Sequence, residues 1–102
     1  MPVWRLGEGR ALGNMGLGYA DLGEYPKAIE LHEQHLDIAR RIGDVLGEGN
    51  ALGNMGVAYA KLKEPEKARQ CFIGARTLFR RLGLDHMVAQ VEQMAESGGI
   101  KI

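Results

Sequence analysis

Three groupings in this 102-residue chain have residue types suited to chemistry, and in each the spacing limits what they can do. His32 and His35 lie three apart, about one helical turn, with Glu33 between them. Two imidazoles so placed could hold a metal ion, but His32-Glu33-Gln34-His35 is one residue short of the H-E-x-x-H zinc pattern. Both fall in the middle of an apolar stripe, so the expectation is a pair of packed, hydrogen-bonded core histidines and no metal site. Gly7, Gly9 and Gly13 give G-x-G-x-x-x-G, one residue longer than the dinucleotide fingerprint, with no strand before it and no G-K-[ST] in the chain. The geometry that would cradle a phosphate is missing. Cys71 has no histidine at helical contact spacing to activate its thiol, and reads as buried and inert. No catalytic residue and no cofactor is assigned, and the chain is not expected to be an enzyme.

Composition narrows the partners. Thirteen Lys and Arg balance thirteen Asp and Glu, so no net field draws the chain to nucleic acid or to a membrane surface. An apolar share of 45% supports a core, and 25% charged residues keep the surface wet, which argues against global disorder. A lone cysteine cannot close an internal disulfide, and a reducing, cytoplasmic compartment is the expectation. No stretch approaches the ~18 apolar residues of a membrane span, and Met1-Pro2-Val3-Trp4-Arg5 does not open a signal peptide.

The elements that must position any site follow from an internal repeat. Gly7-Glu8-Gly9-Arg10-Ala11-Leu12-Gly13-Asn14-Met15-Gly16 returns forty residues later as Gly47-Glu48-Gly49-Asn50-Ala51-Leu52-Gly53-Asn54-Met55-Gly56. The match continues through Tyr19/Tyr59, Leu22/Leu62, Ala28/Ala68 and Gly43/Gly83, and a third copy decays soon after Gly83, as terminal capping units do. Within each repeat the apolar residues recur with helical spacing. Leu12, Met15, Tyr19 and Leu22 share one face, as do Ala28, Leu31, His32, His35, Ile38, Ala39 and Ile42. Gly23, Gly43 and Gly83 stand where helix ends want a left-handed residue, Pro26 and Pro65 in first turns, and Asp44 and Asp85 at N-caps. Helices are therefore predicted at roughly 3–22, 25–42, 45–62, 65–82 and 86–97. They form an all-α domain over 1–97, with repeats at about 3–43 and 44–83, a capping helix at about 85–97 and a short tail at 98–102.

Fifteen glycines are many for such a chain. Each one inside a helix costs about 0.8–1 kcal/mol relative to alanine. Gly16 and Gly56, on the faces carrying Met15 and Met55, are expected to allow close approach of paired helices, with both methionines in the core. Gly13 and Gly18 point away from that face and have no assigned role.

The residues resemble a tetratricopeptide repeat. Met15-Gly16, Tyr19 and Ala28, and again Met55-Gly56, Tyr59 and Ala68, meet its pattern of a small residue after an apolar one, then Tyr, then Ala heading the second helix. The period of forty exceeds the usual 34. In this it is similar to the repeats of Pins-type G-protein regulator scaffolds, rapsyn and kinesin light chain. Gly-Glu-Gly-Arg-Ala at 7–11 and His-Leu-Asp-Ile-Ala-Arg at 35–40 look most like the Pins-type group. The resemblance implies a helical-hairpin solenoid whose first helices line a concave groove that captures an extended or helical peptide segment.

On the face of the first helix opposite the core stand Arg10, Asn14, Leu17 and Asp21, and forty residues on Asn50, Asn54, Val57 and Lys61. These eight are the candidate binding stripe. Asn14 and Asn54 carry most weight, because an amide offers both a donor and an acceptor to a peptide backbone. With helices about 8–10 Å apart and an extended chain rising about 3.3 Å per residue, such a ladder meets every third residue. Arg10 suits an acidic ligand side chain, though Asn50 replaces it in the second copy. The competing expectation is self-assembly. Stable solenoids need at least three repeats, and Val3, Trp4 and Leu6 at one end, with Ile100 and Ile102 at the other, offer apolar edges for a homodimer by stacking or helix exchange. A stretch of a longer array would present the same edges.

Overall fold

The computed structural model describes residues 3–102, with the side chain of Val3 outside the description. Five helices follow one another: α1 (Val3–Asp21), α2 (Tyr25–Ile42), α3 (Val45–Lys61), α4 (Pro65–Arg81) and α5 (Asp85–Ser97). Each boundary falls within one residue of that read from the sequence. The fold is an all-α helical solenoid: α1 packs on α2, α3 on α4, and α2 and α4 each on the helix that follows, while α1, α3 and α5 lie side by side. None of the described helices is long and apolar enough to cross a membrane.

The same device ends most of the helices. Gly23 and Gly83 adopt φ of +78° and +71°, and the amide of the following residue returns to a carbonyl one turn back, Glu24 to Tyr19 at 2.9 Å and Leu84 to Phe79 at 3.0 Å. Lys63 occupies the equivalent place after α3 with φ of +62°, a conformation that costs a side chain about 1–2 kcal/mol. A further turn at Gly99 folds the tail back: the Ile100 amide reaches the Ala95 carbonyl at 2.8 Å, and Ile100 is buried against α4 and α5. The expected apolar edge at Ile100 and Ile102 is thus already covered. Asp44 caps α3 by accepting from the Gly47 amide at 3.0 Å, whereas Asp85 is the first residue of α5 and makes no side-chain cap.

The first hairpin packs through glycine. The buried positions of α1 are Gly9, Gly13 and Gly16, one helical face. A Cβ at Gly16 would stand 2.7 Å from the His32 imidazole, one at Gly13 would stand 2.7 Å from His35 Nδ1, and one at Gly9 would meet His35 and Ile38. Gly56 and Phe72 repeat the first pairing forty residues later, with a 2.7 Å approach. Gly16 and Gly56 do allow close approach, and Gly13, which had no assigned role, faces His35. Gly18 meets nothing within 4 Å.

Met15 corrects the sequence reading. It is 52% exposed, while its counterpart Met55 is 6% exposed, packed with Leu36 of α2 and Cys71 of α4. The reason is positional: α3 lies between α2 and α4, whereas α1 turns the equivalent face, with Ala11 and Met15, outward. Leu22, expected on the packed face, is also exposed.

Candidate functional site

Helical register places Arg10, Asn14, Leu17 and Asp21 along one exposed side of α1, and Asn50, Asn54, Val57 and Lys61 along the corresponding side of α3. The helices stand close enough for a groove of about 450 Å³ to form between them. Its walls are Arg10, Asn14 and Leu17 from α1 and Leu46, Asn50 and Asn54 from α3, and Gly13, Gly47 and His35 lie at its base. Val57 and Lys61 face the next groove, about 630 Å³ between α3 and α5, together with Gln90, Gln93 and Met94. Asp21 is exposed beyond the end of the first groove and lines neither.

Leu46, Gln90, Gln93 and Met94, which the sequence reading missed, belong to these walls. Leu46 lies one turn before Asn50. Gln90 and Met94 sit forty residues after Asn50 and Asn54, so carrying the repeat one step further would have named them. The amide ladder Asn14, Asn54 continues as Met94, which makes the second groove less polar on that rung. His35 was read as a core residue. The signal for its second position was glycine on both sides: Gly13 on α1 and Gly47 on α3 present no side chain to cover it.

The electrostatics of the first groove are one-sided. No Asp or Glu lines it. Arg10 forms no ion pair among the described residues, while the nearby Glu48 carboxylate is taken by Arg40 at 3.1 Å. The His35 pKa is held below the usual histidine value by burial, against the pull of Asp44, with Arg10 adding to the depression. His32, 1% exposed, is lowered to about 4, first by burial and then by His35. Contrary to expectation, His32 Nδ1 and both ring nitrogens of His35 lack a hydrogen-bond partner among the described residues. No cluster of three or more His, Cys, Asp or Glu able to hold a metal occurs among those residues. Cys71 is buried, and burial with the charge of Glu33 pushes its thiol up to about 11, which leaves it unreactive near neutrality.

The family model for the tetratricopeptide repeat matches residues 7–81. The chain belongs to the tetratricopeptide repeat family. Repeats of this family are non-catalytic and mediate protein–protein interaction, so a protein partner is the general expectation for this tetratricopeptide chain. The match covers α2, α3 and α4 and most of α1, while α5, which closes the second groove, lies beyond it. No curated protein matches the chain.

Proposed function

We propose that this chain is a non-catalytic interaction module that captures an extended peptide segment along α1, α3 and α5. The observation that carries the reading is the first groove: five of the eight stripe residues, Arg10, Asn14, Leu17, Asn50 and Asn54, line it together and its lining includes no Asp or Glu. Asn14 and Asn54 sit on adjacent helices at matching positions, so their amides can each pair with a backbone group of the peptide. Leu17 and Leu46 supply apolar contact, and Val57 and Lys61 extend the track into the second groove. The likeness of the strings at 7–11 and 35–40 to Pins-type repeats supports the same placement, and a single buried thiol suits a reducing, cytoplasmic setting.

The test uses a peptide selected against the wild-type chain from a displayed random library. Asn14→Ala combined with Asn54→Ala should weaken its binding about 5–150-fold, the loss of two hydrogen bonds of about 0.5–1.5 kcal/mol each, with helicity unchanged. Affinity that survives both changes contradicts the ladder.

A second reading, self-association, rests on the outer face of α1. Met15 and Ala11 lie open where their counterparts Met55 and Ala51 are buried, and Trp4 beside them is 66% exposed, with the Arg5 guanidinium 5.1 Å from its ring centre. Leu6 is half-buried. A homodimer would cover this face and leave the concave groove free.

A further inference from the structure

His35 reaches the base of the α1–α3 groove from α2, which packs on both helices. Its imidazole crosses between the two helices at their glycines: a Cβ at Gly13 would stand 2.7 Å from Nδ1, and one at Gly47 would stand 3.2 Å from Nε2. The side chain is 6% exposed, lines the groove, and has no partner for either ring nitrogen among the described residues. A buried nitrogen without a partner costs about 1–3 kcal/mol. Forty residues later the position is Ala75, and the approach to Gly53 is made by Met94 instead. Packing alone is therefore satisfied in the second hairpin without an imidazole.

We propose that His35 contacts the bound peptide, and that its imidazole hydrogen-bonds a carboxylate side chain whose other oxygen meets Arg10 at the groove wall. The inference rests on the peptide-binding reading of this groove and names the ligand's chemistry within it. A carboxylate fits for three reasons on the molecule itself. The groove lining contributes one unpaired cation, three amides that can donate, and no acid, while the Asp44 carboxylate beside Gly47 is engaged by the Gly47 amide at 3.0 Å. His35 lines the groove with neither ring nitrogen partnered among the described residues. An imidazole always has at least one N–H to donate, and two when protonated.

Proton uptake follows from that contact. In the free protein His35 is neutral near pH 7, held so by burial and by Arg10 of α1 against the opposing charge of Asp44 at the start of α3. His32 on the same helix is neutral too, and Glu48 of α3 is paired with Arg40. A carboxylate against the ring favours the imidazolium, so the bound pKa lies above the free one. Binding then strengthens as pH falls through the bound value and levels off below the free value, about tenfold for each pKa unit gained. A glutamate ligand, with pKa near 4.3, is ionised near neutral pH.

The experiment is a histidine NMR titration of the full chain with a blocked hexapeptide of alternating Glu and Ala, and with its Gln counterpart. The Glu peptide should shift the His35 Cε1–H resonance saturably, raise its pKa by about one unit or more, and bind more tightly near pH 5.5 than near pH 7.5. The Gln peptide should do neither. His35→Gln should keep binding the Glu peptide through Arg10 and the amides but lose the tightening at low pH. If Asn14 and Asn54 side-chain amides shift with both peptides while His35 titrates unchanged, this inference is overturned and the groove reading stands. If none of Asn14, Asn54 and His35 responds to either peptide, both are overturned. Should His35→Gln unfold, the wild-type resonance still decides between these outcomes.

Discussion

At the residue scale the two buried histidines act in different ways. His32 fills the space left by Gly16, as Phe72 fills that left by Gly56, so its role is packing and its imidazole must stay neutral. Unfolded, it takes up a proton near pH 6.5; folded, it resists until about 4. The depressed value means that the stabilisation is complete above pH 6.5 and is lost as pH falls toward 4, up to about 3 kcal/mol. His32→Phe should remove most of this acid sensitivity, measured as the change in urea midpoint between pH 7 and pH 4.5. An unchanged difference would show that His32 is not the buried neutral base described. Lys63 offers a second case. Its φ of +62° stands where the other loops carry Gly23 and Gly83, so Lys63→Gly should raise stability by about 1 kcal/mol. A fall would mean that the Lys63 side chain contributes more than its backbone costs.

At the element scale, spacing and punctuation in the sequence place the helices to within a residue, because apolar periodicity and the Gly23, Gly43 and Gly83 stops are local properties of the chain. Which face of α1 is buried was not legible in the same way. Apolar periodicity points to Met15 and Leu22, yet α1 lies on α2 through Gly9, Gly13 and Gly16, residues that carry no hydropathy signal. The signal was in the partner helix, where His32, His35 and Ile38 supply the volume that glycine leaves free. The two kinds of helical glycine separate experimentally. Gly16→Ala places a methyl 2.7 Å from the buried His32 ring and should destabilise by about 1–3 kcal/mol. Gly18→Ala meets open space and should stabilise by about 0.5–1 kcal/mol. Equal effects in chemical denaturation would contradict the packing described for α1 and α2. That Arg10, Asn14, Leu17, Asn50 and Asn54 share one side was legible, since they repeat at helical spacing, whereas Asp21 on the same stripe lines neither groove. The base of the groove was not, because His35 arrives from α2, and only the packing of the hairpin brings it between Gly13 and Gly47.

At the scale of the whole molecule the two ends differ. The C-terminal end is closed by α5 and by Ile100 folded back on it, whereas the outer face of α1 leaves Ala11, Met15 and Trp4 exposed. If that face pairs two copies, light scattering should give a dimer whose melting temperature rises with concentration, and Met15→Glu with Trp4→Glu should return it to a monomer. A monomer over a hundredfold concentration range contradicts the pairing. The α1–α3 groove is independent of that result, because Asn14 and Asn54 line it and Met15 does not.

The central claim is that the concave side of α1, α3 and α5 is where a peptide binds. Amide shift mapping with a library-selected peptide tests it most directly. Shifts should concentrate at Arg10, Asn14, Leu17, Asn50 and Asn54 and fade across the outer faces of α2 and α4. Shifts centred on Trp4 and Met15, or on the outer faces of α2 and α4, would contradict it.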